Sequence, residues 1–435
     1  MINRYNTQEM QDIWNEQYKI DIWKLLSIYY VKELKKDLDD QAFQNLINIS
    51  ITPDDVILKE KETKHEFLAF LELFLDKAPN DLKQYIHFGL TSSDILDTTF
   101  SYQLRDATNV ILKAIEKLKE SLINKIKLHK TTMMMGRTHG MYAEPISFGL
   151  VLLNFYYEFD RSYERLLNCI DSLSYGQLSG PVGNYILCNK EVEANVLKQC
   201  KMLPETLSTQ VIPRDRYAEL FTTLGILASS MERLATEIRQ LSQSSIAEVA
   251  EGFESTQKGS SSMPHKKNPI GCENICGLAR LIRSYSIPAM ENIVLWYERD
   301  MSHSSNERFL GVDATTLTHY TLNRLTGIID NLVVFKDQMK NNIKQSYDLF
   351  YSQSLMLNLV EKGLSRVVAY KLIQDASFKA VNTKTSLINI ILTNISLFEK
   401  YLSFEEILKI CQFEAFEQKN LDLITQHLKG LNKHE

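Results

Sequence analysis

The 435-residue chain is 44% hydrophobic, 24% charged and 10% aromatic. That excludes disordered, collagen-like and disulfide-framework classes and leaves enough apolar side chain for large cores. With 49 basic against 54 acidic residues the net charge is −5, so nucleic-acid binding through bulk charge is not expected. Glycine (16) and proline (9) are scarce, which argues against turn-rich barrels and sandwiches and for long helices.

The start, MINRYNTQEM, has no apolar segment of signal-peptide type, and no charge-free window of 18 apolar residues occurs. Neither a leader nor a membrane span is expected. Helices are predicted at 7–33 and 64–76. The turn Leu90-Thr91-Ser92-Ser93-Asp94 supplies N-cap side chains and marks a domain boundary. Beyond it Phe100, Leu104, Ala107, Ile111, Ala114, Leu118 and Leu122 recur at helical spacing, as do Phe148, Leu152, Phe155, Phe159 and Leu166. The clearest run lies in 214–250: Leu220, Leu224, Leu227, Met231, Leu234, Ile238 and Leu241 alternate steps of four and three. A helix over that whole stretch would be roughly 50 Å long. Leu322, Leu325, Ile329, Leu332, Met339 and Ile343 form a further run. Helices of this length must bury their stripes against one another.

The expected class is all-α, in three helical domains: 1–93, a central long-helix bundle over 94–345, and 346–435. The last carries amphipathic pieces at 352–361, 364–374, 403–411 and 421–428. Asn382–Ile391 is β-branched and fits either helix or strand. The six cysteines read as reduced thiols. Cys272 and Cys276, one helical turn apart, read as packed thiols in the absence of a matching ligand pair for zinc.

Polar chemistry gathers between the helices, at Lys64-His65-Glu66, His87–Asp94, Met135–Pro145, Gly259–Pro269 and Glu298–Arg308. The fourth segment holds three serines, two lysines and an asparagine behind a glycine. Taken alone it is either an exposed polar loop or a loop that covers an anion with charge and directed donors. Its stretch Ser260-Ser261-Ser262-Met263-Pro264-His265-Lys266-Lys267-Asn268-Pro269 resembles the signature loop of the fumarase/aspartase superfamily, Ser-Ser-x-Met-Pro-x-Lys-x-Asn. Within it the chain is most similar to the adenylosuccinate lyases of the shorter bacterial type. That closer likeness rests on Arg4-Tyr5, Thr63–Glu66, His87–Ser92, Met135–Gly140, Ser208–Gln210 with Arg214–Arg216, and Trp296–Arg308.

The resemblance implies three helical domains, with the central bundles of four subunits packed into a twenty-helix core. It further implies a homotetramer whose active sites draw on three subunits. The implied reaction is β-elimination of fumarate from adenylosuccinate, giving AMP, and from the succinyl-carboxamide ribotide of purine synthesis. Such chemistry needs a base, an acid for the leaving nitrogen, and donors for the developing carboxylate charge. The resemblance makes Ser260 the base, His139 the acid, Glu273 the carboxylate orienting that histidine, and His65 a substrate contact that assists. Thr91 and Ser92 would hold the fumaryl carboxylate with help from Lys266 and Asn268, and Ser261 would also touch the substrate. Arg4, Tyr5, Arg299, Ser304 and Arg308 would face the nucleotide, with Lys64, Glu66, His87 and Gln210 also at the substrate. Lys64 stands where arginine is usual, and Pro213 where glutamine is common. His129, His265 and His303 are expected to be packed or solvated. Neither a cofactor nor a metal is expected. The competing readings are a sister lyase, such as one for argininosuccinate, and a non-catalytic helical scaffold. All the acid–base residues are present, which disfavours the scaffold. The arginine-rich segments exceed what a small dicarboxylate needs.

Overall fold

The computed structural model describes residues 2–252, 262–263 and 265–431. The chain is 69% helical, and its strands form three small two-stranded sheets among the described residues. An all-α class is therefore observed. The backbone groups into two compact units. The first comprises Met1–Leu118, Phe159–Arg233 and Asn274–Leu325, and the second Lys119–Glu158, Leu234–Glu273 and Thr326–Glu435.

In the first unit the helix expected over 7–33 is broken. It runs as Gln8–Trp14 and Glu16–Leu34, and Asn15 between them caps the second piece by accepting from the Tyr18 N–H. Pro53–Thr63 opens with a capping box between Thr52 and Asp55 and with proline at its first turn. Glu66–Lys77 comes next. These helices close on an aromatic core in which Trp23 meets Phe67 and Phe70 edge-on at 5.6 and 5.5 Å.

The long helices are Ser92–His129, Phe148–Leu173 and Asp215–Leu241. The stripe from Leu220 to Leu241 is buried throughout, at 3% exposure or less. In the first unit Ser101 and Tyr217 share a hydroxyl bond of 2.7 Å, and Cys169 donates to Thr223 at 3.6 Å. Arg283 of the helix Ile270–Ser284 bonds Glu232. Ser302–Phe309 continues through a π-turn at Leu310–Ala314 into Thr315–Asp330. Gly311 lies in that turn. A Cβ there would come within 2.7 Å of Trp14 and 2.8 Å of Phe100, so only glycine admits the two rings.

Two sequence expectations are corrected in the second unit. The helix expected over 214–250 stops at Leu241, and Val249-Ala250 pairs as a strand with Val333-Val334. The run expected from Leu322 to Ile343 is split at the same place into Thr315–Asp330 and Lys336–Lys344. Neighbouring β-branched valines turn the chain extended without any proline or glycine at the break. The second unit also holds an antiparallel hairpin, Met133–Thr138 with Met141–Ser147. Its C-terminal helices are Ser352–Glu361, Arg366–Thr383, Leu387–Thr393, Phe404–Ile410 and Glu414–Leu431. Asn382–Ile391 therefore reads as two helix ends joined at Lys384, whose φ is 51°. All six cysteines are free thiols, and Cys272 and Cys276 are buried. No helix among the described residues is long and apolar enough to cross a membrane.

Candidate active site

The first unit brings together four separate stretches of sequence that carry expected substrate residues. At the start of Ser92–His129, Asp94 accepts from the Thr91 N–H at 2.8 Å and from Ser179 N–H at 2.8 Å. It also accepts from Gly180 N–H at 3.2 Å. Burial pushes this carboxyl up to about 6, against those hydrogen bonds. The clamp fixes the Thr91 backbone at the N-terminus of a 38-residue helix. Among the described residues neither the Thr91 nor the Ser92 hydroxyl donates to another group. Two hydroxyls at the positive end of a helix suit a carboxylate.

Arg214, 3% exposed, precedes the helix Asp215–Leu241 and commits all of its N–H donors. It forks onto Asp97, onto Glu307 at 3.0 and 3.1 Å, and onto the Ile212 carbonyl at 2.7 Å. Asp97 belongs to the helix behind Thr91 and Ser92, and Glu307 to the helix carrying Ser304 and Arg308. One guanidinium thus ties together the segments that bear the expected substrate residues. Next to it Arg299 donates to Ser93 at 2.7 Å and to the Gln210 side chain at 3.0 Å. Gln210 in turn donates to the Pro181 carbonyl at 3.0 Å. Arg299 forms no ion pair among the described residues, and its Nε is buried without a partner. Burial draws its pKa down. A half-buried cation with a spare N–H and no ion pair is chemically suited to take an anion.

Around Arg299, Asp300 accepts from Trp296 N–H and Ser302 N–H at 2.7 Å each. Bonds from Ser302 and Trp296 pull its pKa down to about 2. Glu66 pairs with Lys19 and lies 3.7 Å from the exposed Arg308 guanidinium. Lys64 ends its helix with φ 54°, and His65 caps the next helix, its Nδ1 accepting from Leu68 N–H at 3.4 Å. A neutral His65 ring so bonded carries its proton on Nε2, on the exposed side. Tyr5 accepts from Asn274 at 3.3 Å and meets Tyr320 edge-on at 5.1 Å. Arg4 is exposed. His87 packs its ring 5.2 Å from Phe67, with Nδ1 buried and unpartnered among the described residues. Burial pushes it down to about 4. It is therefore neutral at pH 7 and offers a hydrogen bond rather than a charge. His303 is buried as expected.

The second unit presents His139 differently. Thr138 pairs with Met141 across the hairpin, and between them His139 and Gly140 both have positive φ, 52° and 77°. That is the geometry of a two-residue type I′ turn. The imidazole sits at the exposed apex, with no hydrogen bond to the described residues. Two residues behind it, Arg137 forks onto Glu248 at 2.9 and 2.8 Å. Glu273 is exposed in the first turn of Ile270–Ser284, and no hydrogen bond joins it to His139 within the chain. Glu251 caps that helix, accepting from Gly271 and Cys272 N–H at 3.0 and 2.6 Å. Lys266 is exposed and Asn268 half-buried. Ser260 and Ser261 lie outside the described residues.

Sequence reasoning assigned no role to Arg214, Asp97, Glu307, Asp94, Arg137 or Glu248. Arg214 and Arg137 lie inside quoted segments, but nothing in a linear sequence separates an arginine that binds substrate from one that is internally saturated.

The comparisons agree over the length of the chain. A family model described as lyase matches residues 31–283, and one described as adenylosuccinate lyase C-terminus matches 348–426. The adenylosuccinate lyase of Aquifex aeolicus is 42% identical, over 99% of both chains. That of Bacillus subtilis is 38% identical, over 98% of this chain and 99% of the relative. Among solved structures, a fumarate lyase from a Mesorhizobium species superposes with a TM-score of 0.86 at 21% identity, covering 98% of this chain and 99% of the other. A β-carboxy-cis,cis-muconate cycloisomerase from Acinetobacter calcoaceticus gives 0.82 at 21% identity, covering 97% and 98%. These last two share the fold. The chain belongs to the adenylosuccinate lyase family of the fumarate lyase superfamily, and is a C–N lyase.

Proposed function

We propose that the enzyme eliminates fumarate from adenylosuccinate, giving AMP, and from the succinyl-carboxamide ribotide, giving the carboxamide ribotide. Ser260 removes the proton from the carbon beside a succinyl carboxylate. The electron pair forms the new double bond as the C–N bond breaks, and His139 protonates the departing nitrogen. Relatives matched over nearly their whole length support the substrate. Within the molecule, the observation that carries the reading is His139 presented at the exposed apex of a two-residue turn, with its ring uncommitted among the described residues.

Arg299, held by Gln210 and Ser93 beside Arg308 and Ser304, serves the phosphate end, with Arg4 and Tyr5. Thr91 and Ser92 take a carboxylate at the helix terminus, with Ser261, Lys266 and Asn268 from the signature loop. His65, with Lys64 and Glu66, touches the succinyl side, His87 offers a hydrogen bond to the substrate, and Glu273 orients His139. The absence of a Glu273–His139 bond within one chain supports a site completed by other copies, in a homotetramer. We keep the division into 1–93, 94–345 and 346–435; two separate apolar clusters, one around Trp23 and one around Phe350, draw mainly on the outer segments, and each takes in residues of the middle one, such as Leu178 and Val196 in the first and Met133 and Met135 in the second. A cytoplasmic location fits a purine-nucleotide substrate and free thiols.

The test is fumarate release, read as ultraviolet absorbance, with adenylosuccinate beside argininosuccinate, malate and aspartate. Turnover of adenylosuccinate alone among these is expected, and silence on it sinks the reading. Ser260→Ala and His139→Ala should each abolish turnover. Mixing the two under proven subunit exchange should restore part of it, and a mixture that stays inactive would rule out a site shared between those two segments.

A further inference from the structure

We infer that Arg137 is a positioning residue for His139, acting through a buried clasp of Glu248 and Asn342. This rests on the reading of His139 as the proton donor. Glu248 is fully buried and receives three hydrogen bonds: two from Arg137, at 2.9 and 2.8 Å, and one from Asn342 at 2.7 Å. Its backbone is equally fixed. The Glu248 N–H donates to the Leu241 carbonyl at 2.9 Å, and its carbonyl accepts from Phe335 N–H at 2.9 Å. Asn342 donates a second bond, to the Ile246 carbonyl at 2.9 Å. The carboxylate is thus an immobile anchor.

Arg137 converts that anchor into a constraint on both hairpin strands. Its guanidinium also donates to the Met135 carbonyl at 3.0 Å, on its own strand. On the partner strand it lies over the ring of Tyr142, 5.5 Å from the centroid, and Tyr142 is its cross-strand neighbour. Beyond this layer the hairpin has only Thr138, His139, Gly140 and Met141, all exposed. Among the described residues those four pair only with each other, so the clasp is the last fixed point beneath the imidazole. The desolvated fork resists splaying better than a single-point lysine contact. A proton donor must be held to within a fraction of an ångström, since a displacement of about 1 Å can cost 100-fold in rate.

The experiment compares Arg137→Gln, Arg137→Lys, His139→Gln and the Arg137→Gln/His139→Gln double variant of the full-length enzyme, in the fumarate-release assay with adenylosuccinate. Arg137→Gln should lower kcat by roughly 10- to 100-fold while KM stays within about threefold. Arg137→Lys should recover part of that loss. The double variant should be no slower than His139→Gln by more than about twofold, because a residue acting through His139 has nothing left to position. Asn342→Ala, which frees Glu248 on one side only, should lower kcat by about threefold. It carries the test if Arg137→Gln fails to fold. Wild-type kcat in the Arg137 variants, or losses that multiply in the double variant, would overturn the proposal while leaving the function intact. Wild-type turnover by His139→Gln would instead remove the reading on which it rests.

Discussion

Arg214 and Arg137 are both forked onto buried carboxylates, yet they organise their surroundings in opposite ways. Arg214 is internally saturated and ties together residues 117 and 93 positions away in sequence, Asp97 and Glu307. The cage around it owes its shape to charge sealed from water. Arg137 keeps part of its side chain exposed and steadies one hairpin, whose tip takes its form from two left-handed residues. The expected binding groups thus sit on a cage that tolerates little change, and the expected acid sits on a local turn. The lesson is that placement can come from tertiary burial or from backbone conformation, and the two fail differently.

Arg214→Met tests the cage with the largest expected effect. It leaves Asp97 and Glu307 buried without their counter-charge, and should cost about 3–5 kcal/mol in urea unfolding. Arg214→Lys keeps the charge but not the fork, and should fall between. A near-neutral Arg214→Met would break the contrast.

The second test uses pH. His87 has its pKa pushed down to about 4 by burial, against an ordinary value near 6.5. Its folded form binds fewer protons than the unfolded chain in that window, so stability is lost as pH falls from about 6.5 toward 4. Urea midpoints across that range should show His87→Phe losing less than the wild type, by on the order of 2 kcal/mol. Identical slopes would show that His87 is not held neutral by its pocket. The Asp94 carboxyl, pushed up, contributes with the opposite sign, with stability falling as pH rises toward about 6.

The smallest effect belongs to the turn. A Cβ at Gly140 meets nothing within 4 Å, so the cost of Gly140→Ala comes only from its φ of 77°, about 1 kcal/mol. Its signature should be a lowered kcat with KM nearly unchanged. A KM change without a kcat change would place the hairpin tip on the binding side.

Legibility divides along the same line. Apolar stripes are readable because burial imposes a period: every position from Leu220 to Leu241 in the heptad run lies inside. The helix breaks are less so. At Asn331–Phe335 the chain becomes extended because Val333 and Val334 find a partner strand at Val249 and Ala250, which no local signal announces. The hairpin is silent in the sequence because its turn is His-Gly rather than the Asn-Gly or Asp-Gly that usually marks type I′. Thr91, Ser92, Gln210 and Arg299 are legible through family likeness. Their supports, Asp94 and Arg214, require coordinates, because a buried charge looks like a surface charge until its partners are known.

The π-turn at Leu310–Ala314 separates two helical segments in phase as well as in sequence. A single added residue in a helical turn rotates the segment on its N-terminal side by about 100° relative to the segment on its C-terminal side. Ser304, Glu307 and Arg308 are therefore clocked independently of the buried stripe Leu322, Leu325 and Ile329. Deleting one residue there would leave an unbroken α-helix whose apolar face still fits, while turning Ser304, Arg308 and the Arg214 partner Glu307 a quarter-turn away. The irregularity is a phase setting, and it lets one helix answer to two different surroundings.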